Sequence, residues 1–188
     1  MKSLQESIFD NDLTQLPPTT TLTVGELSNM CAKEYKKYKN EFRNIDVDIY
    51  ESFTSVITKF HFCSQNKKYD YICNGEFVCH SSDGDVWIEG IRLNLTILNP
   101  TPGSRILAFD RRVGETLQLK NDKITAKDLK SIISRIESYF EGIMLMKNGI
   151  ESWIDNNIIE YKTLTRSYMT ELTTQMYKSI INNWFKIK

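Results

Sequence analysis

The residues best suited to chemistry lie together in one stretch, which reads FHFCSQNKKYDYICNGEFVCH. The stretch contains both histidines of the chain and three of its four cysteines: His61, His80, Cys63, Cys73 and Cys79. Imidazole nitrogens and thiolate sulfurs are common zinc ligands, and a thiolate beside an imidazole is a common nucleophilic pair. The composition of this stretch therefore raises two hypotheses, a metal centre and a cysteine-dependent enzyme.

The dipeptide Asn74-Gly75 predicts a two-residue β-hairpin within this stretch, because a type I′ turn needs positive φ at both central positions. Residues that are directly paired across such a hairpin share a face of the sheet. In this register Cys73 and Cys79 lie on opposite faces. They therefore cannot bind the same ion.

The other possible ligands are also poorly spaced. If the preceding strand folds back through 64–68, Cys63 and His80 flank Tyr69 at two strand spacings, roughly 10 Å between backbones. His61 and Cys63 are two residues apart on one strand, roughly 7 Å, which is too far for a catalytic pair. We therefore predict no catalytic residue, no cofactor and no metal site, and retain His61, Cys63 and His80 only as candidate metal ligands.

Composition narrows the class of protein. The 188 residues suit one soluble domain, and Lys+Arg equals Asp+Glu at 24 each, so no global basic excess favours nucleic acid. No apolar run is long enough to span a membrane, and the first residues lack a secretory signal pattern. The cysteines form no regular disulfide framework. We expect a cytoplasmic protein with reduced thiols.

The elements that position these residues follow from periodicity. Residues 1–22 read as an arm that ends at a proline pair, and 23–188 as a single domain. Thr23 and Glu26 form a capping-box pattern that starts an amphipathic helix. The segment 23–54 is predicted to be mainly helical. Its last part, 46–54, fits both periodicities, and a strand is expected from near Ser55.

The rest of the domain divides at the point where the hydrophobic period changes from 2 to 3.6. Residues 55–119 predict an antiparallel sheet of about five or six strands, with a further turn in SSDGD. Residues 123–188 predict a long helical hairpin that begins with the capping pattern of Thr125 and Asp128 and turns near Asn148-Gly149. Strands followed by helices indicate an α+β fold.

The C-terminal helix is the main argument for a partner. A helix over much of 150–187 would project beyond a domain of this size and expose its apolar stripe. An exposed apolar stripe is typical of an interface. The predicted partner-binding residues are those of this stripe and of the arm: Tyr168, Leu172, Met176, Ile180, Trp184, Ile8, Phe9 and Leu13.

A basic face on the first helix supports an alternative, nucleic-acid binding. The residues of this face are Lys33, Lys36 and Lys37, with Lys39 and Arg43 at its edge. The tyrosines of the helix fall on the opposite, apolar stripe, whereas base stacking needs exposed aromatic rings. The alternative is therefore kept but not favoured.

The segment KSLQESIFDNDL, near the start of the chain, resembles openings of mobile-element and phage proteins of gut Bacteroidales. The resemblance implies a provenance, and a location in the virion if the protein is phage-encoded, but it implies no activity. Together these observations predict a non-enzymatic structural or protein-interaction protein that self-associates through its C-terminal helices.

Overall fold

A computed structural model of the chain describes residues 21–65, 69–98, 105–157 and 166–186. The fold is α+β, with helices packed on one face of an antiparallel sheet. The first helix, α1, spans Val24–Tyr38. Its capping box is formed as predicted: the amide of Glu26 donates to Thr23 Oγ1 at 3.2 Å, and the amide of Thr23 donates to Glu26 Oε2 at 2.8 Å.

The sheet of the described chain has seven strands, all paired antiparallel. They are β1 Asp46–Glu51, β2 Ser55–Gln65, β3 Asp70–Ser82, β4 Asp85–Ile88, β5 Ile91–Leu98, β6 Arg105–Val113 and β7 Leu117–Lys120. One edge of β3, from Asp70 to His80, pairs with the whole of β2. Its other edge pairs with β5 from Asp70 to Glu76 and with β4 from Cys79 to Ser82. The sheet therefore divides into two branches, one of β5 and β6 and one of β4 and β7.

The strand β3 overturns the predicted hairpin. It runs straight through Asn74-Gly75, and neither residue has a positive φ. The type I′ turn lies instead in SSDGD, where Asp83 and Gly84 have φ of 50° and 80° and join β3 to β4. Gly75 makes room for an aromatic ring instead of forming a turn. It pairs with Phe60 of β2, and a Cβ on Gly75 would lie 2.2 Å from Phe60 Cζ.

The helical prediction for 46–54 is also wrong. These residues begin with β1, in which Val47 and Ile49 face the helices while their neighbours face outward. Phe53, which would continue a helical stripe from Ile49, is 101% exposed where β1 turns into β2. Residues 46–51 form a strand because β2 provides backbone partners along the whole of β1. The prediction that a strand starts at Ser55 is confirmed.

Two further helices cover the sheet. A short 3₁₀ turn, Asn121–Lys123, leads into α2, Ala126–Asn157, and α3 spans Arg166–Ser179 before a π-helical turn, Ile180–Trp184. Helix α2 continues through Asn148-Gly149, so the predicted end at this dipeptide is wrong. The connection 158–165 lies outside the described residues, and the hairpin of α2 and α3 stays a prediction. Among the described helices, none has the length and apolar character needed to cross a membrane.

Two glycines of α2 make room for the C-terminal turn. A Cβ at Gly142 would lie 2.3 Å from Phe185 Cδ1 and 2.6 Å from the carbonyl oxygen of Trp184. A Cβ at Gly149 would lie 3.0 Å from Trp184 Nε1. These glycines are two turns apart on one face of the helix. They let the C-terminal turn pack directly against the backbone of α2.

We expect Gly142→Ala to destabilise the protein by about 1–2 kcal/mol. Displacing Phe185 and the backbone at Trp184 costs about 1–3 kcal/mol, which is partly offset by roughly 1 kcal/mol of helix propensity. Gly25→Ala in α1 is the matched control, because its Cβ would meet nothing within 4 Å. Urea unfolding should show the control neutral or more stable. Equal stability of the two variants would contradict this packing.

The cap of α2 predicts a dependence of stability on pH. The Thr125 hydroxyl and amide donate to Asp128 Oδ2 at 2.7 and 2.9 Å, and these hydrogen bonds lower the pKa of Asp128 below its ordinary 3.8. The stabilisation is therefore present above pH 3.8 and is lost as the pH falls through the lower, folded-state pKa. Asp128→Asn should cost about 0.5–1 kcal/mol near neutral pH, and this cost should shrink in acid. Unfolding curves of both proteins across pH measure it.

Candidate functional site

The candidate metal ligands are far apart. His61 and Cys63 lie on the outer face of β2, and His80 lies on the same face of β3. The register pairs Cys63 with Ile72, eight residues from His80, which corresponds to roughly 26 Å along the strand. The expectation that Cys63 and His80 flank Tyr69 is therefore wrong. In the described part of the chain, no group of three His, Cys, Asp or Glu residues could hold a metal ion.

His80 belongs to a small cluster at the corner between β4 and β5. Its imidazole stacks on Trp87 with ring centroids 4.4 Å apart, and Nε2 lies 3.1 Å from Glu89 Oε1. Glu89 also forms an ion pair with Arg112, and its backbone carbonyl accepts a hydrogen bond from the Tyr139 hydroxyl at 3.0 Å. These contacts tie the corner of the sheet to α2. They give His80 a structural role.

The basic face of α1 is interleaved with acidic residues. Lys37 Nζ lies 2.6 Å from Glu34 Oε2 and 3.6 Å from Glu137 Oε1, and the contact with Glu34 is an ion pair rather than a well-aligned hydrogen bond. Partial burial lowers the pKa of Lys37, but the two carboxylates raise it by more. Lys33 is half-buried, and only Lys36 of the three is exposed without a nearby carboxylate ion pair among the described residues.

The edge of this face is similarly mixed. Lys39 and Arg43 are exposed beyond the end of α1. Burial, and then the nearby carboxylates of α1 and α2, raise the pKa of Tyr38 at that end. Acids among the lysines weaken the attraction for a phosphate backbone. The basic face of α1 is thus less strongly positive than its lysines alone suggest.

The predicted partner-binding stripe faces inward. Leu172, Met176 and Ile180 are fully buried in the core of the chain itself. Trp184 is half-buried against Gly149, and Tyr168 is a residue whose side chain is not described. In its described part, Arg166–Ser179, α3 packs on the sheet, where the ring of Tyr177 lies 6.2 Å from that of Phe109.

The arm residues of the same prediction, Ile8, Phe9 and Leu13, lie outside the described residues. The structure describes the side chains of four predicted partner-binding residues of the C-terminal region: Leu172, Met176, Ile180 and Trp184. All four pack within the chain. An interface built from described residues would therefore use a surface other than this stripe, and the contacts expected of the N-terminal arm stay a prediction.

The outer face of the sheet offers such a surface. Cross-strand pairing aligns four charged residues on neighbouring strands: Asp48 of β1, Lys59 of β2, Glu76 of β3 and Arg92 of β5. Directly paired residues share a face, so these side chains form one line, here called the charged row. Its charges alternate in sign from β1 to β5, and the next residue in register, Arg112 of β6, is a second cation. Arg92 also lies 3.5 Å from Asp110 in an exposed ion pair, which has little energetic weight.

A second line lies two residues along the strands. It consists of Asp46, His61, Asn74 and Asn94, here called the polar row. His61 Nδ1 lies 2.6 Å from Asn74 Oδ1, so the imidazole donates to the amide oxygen. Both rows, with Phe60 and Gly75, line an open groove of about 430 Å³.

The groove is lined mainly by charged and amide groups: carboxylates, cations, amides and one imidazole. Such groups can form ion pairs and hydrogen bonds with a bound molecule. Cys63, the exposed cysteine of the same face, lies outside the lining. On the other side of the charged row, Tyr50, Ile57 and Val78 form a partly exposed apolar line across β1, β2 and β3.

Sequence reasoning missed both rows. The alternation of Lys59, His61 and Cys63 along β2 indicated an outward face, but the partners of these residues depended on the register of β3. A turn at Asn74-Gly75 excludes the pairing of Glu76 with Lys59. The charged row forms only because β3 continues as a straight strand through these two residues.

The comparisons with protein families and with curated proteins assign the chain to no family. A scan against models of protein families finds no match to the chain. A search of curated proteins finds no match either.

The ion pairs of α1 yield a prediction that separates a structural lysine from a nucleic-acid-binding one. Glu34 is only 3% exposed, so removing its cation leaves a buried carboxylate unpaired. Lys37→Met should cost about 1–2 kcal/mol of stability, because the lysine itself is half-exposed. Lys36→Met, the exposed neighbour, should change stability by less than about 0.5 kcal/mol. Equal effects in urea unfolding would contradict the structural role of Lys37.

Proposed function

We propose that this chain is a non-enzymatic interaction protein that self-associates through the outer face of its sheet. The observation that carries the proposal is the order of charges in the charged row. From β1 to β5 it runs negative, positive, negative, positive. A surface of this kind is complementary to a second copy of itself.

The complementarity follows from symmetry. Most homodimers have a twofold axis, and the same patch then meets itself. An axis parallel to the strands and between β2 and β3 exchanges the two ends of the row. Lys59 then faces Glu76 of the second copy, and Asp48 faces Arg92. An order such as negative, positive, positive, negative would instead bring like charges together.

The apolar line beside the row supports the same arrangement. The same axis brings Ile57 opposite Val78 of the second copy. Tyr50, which is 39% exposed, lies at the end of that line. Removing apolar surface from water favours association, while matched charges mainly set register and specificity. The chain has no net charge, so no long-range repulsion opposes the encounter of two copies.

This proposal retains the self-association expected from the sequence, but it places the interface on the outer face of the sheet instead of on the C-terminal helices. The C-terminal helices, taken as a hairpin, serve as the support of the sheet, because their apolar residues pack within the chain. A structural component of a mobile element or phage is the setting that we propose, on the resemblance of the N-terminal segment. Repeated copies of one chain are typical of such components.

A charge-swap experiment tests the proposal. Sedimentation of the wild-type chain should show a monomer–dimer equilibrium that shifts toward dimer at higher protein concentration. Lys59→Glu should weaken the dimer about tenfold or more, because it creates two like-charge contacts per dimer. Adding Glu76→Lys to that variant should restore the dimer, because each contact again joins opposite charges.

The control is Lys36→Glu, which makes the same charge change on α1, away from the sheet face. It should leave dimerisation unchanged. Lys59 and Glu76 are also neighbours within one chain, so circular dichroism and unfolding curves must accompany each mass measurement. A wild-type chain that stays monomeric at every concentration, or a folded double variant that remains monomeric, would overturn the proposal.

A further inference from the structure

Two cysteines from distant parts of the chain meet in the core. Cys31 lies on the buried face of α1, and Cys79 lies on the inner face of β3, 48 residues later. Their Sγ atoms are 4.0 Å apart, and both residues are 0% exposed. A disulfide has sulfurs about 2.05 Å apart. The sulfurs already face each other in contact, so side-chain rotation and a small approach of α1 would close the gap.

We propose that Cys31 and Cys79 are a redox-active dithiol site, which a hydroperoxide oxidises to a disulfide that ties α1 to the sheet. The other two cysteines differ in their surroundings. Cys63 is exposed on the outer face, and Cys73 is buried without a contact to another cysteine sulfur in the described chain. The pair is therefore the place where an intramolecular disulfide forms.

The chemistry balances with hydrogen peroxide as the oxidant. The sulfur of one cysteine attacks a peroxide oxygen, the O–O bond breaks, and a sulfenic acid and one water form. The sulfur of the second cysteine then displaces the hydroxyl group, which leaves with a proton as a second water, and the S–S bond forms. Two electrons pass from the two sulfurs to the peroxide oxygens. Two thiols and one peroxide become one disulfide and two waters.

Burial sets the rate of this reaction. The contact with Cys31, followed by burial, raises the pKa of Cys79, so its thiol is protonated near neutral pH. The thiolate is the reactive form, and an enclosed thiol reacts slowly until its cover opens. That cover is α1, whose inner face includes Leu27 and Met30 beside Cys31. Oxidation should therefore be slower than at exposed Cys63 and should report on the docking of α1.

The consequence is a covalent bond between the first helix and the central strand. Closing a loop of this length restricts the unfolded chain and raises thermal stability. The midpoint of thermal unfolding should rise by roughly 10 °C. Because the pair lies on the inner face and the charged row on the outer face, oxidation leaves the row in place. The dithiol site stands independently of the proposed self-association.

The test uses the full chain with Cys63→Ser, which removes the exposed thiol. Dilute protein is treated with hydrogen peroxide, the excess is removed with catalase, and the intact mass is measured directly. A second portion is alkylated at its remaining thiols before proteolysis. The intact mass should fall by two hydrogens, and proteolysis should yield one peptide pair joined through Cys31 and Cys79. A reductant should reverse both the mass change and the gain in thermal midpoint.

Matched variants in the same background decide the assignment. Cys31→Ala and, separately, Cys79→Ala should abolish the loss of two hydrogens, and Cys73→Ala should retain it. Circular dichroism identifies the folded variants, and either pair variant suffices. The proposal is overturned if folded protein gives only sulfinic or sulfonic acids at Cys31 and Cys79. It is overturned equally if the disulfide joins Cys73, or persists in a pair variant.

Discussion

The contact between Phe60 and Gly75 is the constraint on which the rest of the sheet depends. Gly75 faces the core at the middle of β3, and the ring of Phe60 occupies the space that a side chain there would take. An aromatic ring over a strand glycine replaces the packing that the glycine lacks. The strand can therefore run straight for 13 residues and serve β2, β4 and β5 at once. A turn at this point would have left those strands without a common partner.

A straight β3 also separates the chemistry of the molecule into two faces. Its alternate residues Tyr71, Cys73, Phe77 and Cys79 enter the core beneath the helices. Those between them, such as Glu76 and His80, face outward. The inner face thus holds the buried cysteine pair, where the contact with Cys31 and then burial raise the pKa of Cys79. The outer face holds the charged row, where solvent leaves the charges available to a partner.

Local signals with one physical meaning predicted the fold well. Both capping boxes form where the sequence placed them, because a cap depends on residues within one turn. The turn in SSDGD and the α+β class are confirmed in the same way. Sequence patterns that are compatible with two different structures gave wrong predictions. Asn74-Gly75 and Asn148-Gly149 predict the ends of elements, yet Gly75 and Gly149 make room for the rings of Phe60 and Trp184.

The sequence by itself determined the starts of α1 and α2 and the alternation along the strands, because these depend on neighbours along the chain, and its composition set the absence of a net charge. Even β3 was partly encoded there: Tyr71, Cys73, Phe77 and Cys79 keep odd positions through Asn74-Gly75, as a single strand requires, although Ile72 and Val78 fall at even ones. Only the tertiary structure decided the register. A charged row exists when four strands align their residues, and a cysteine pair exists when a helix docks on a strand 48 residues away. Such alignments arise from packing between elements, and no local pattern specifies them.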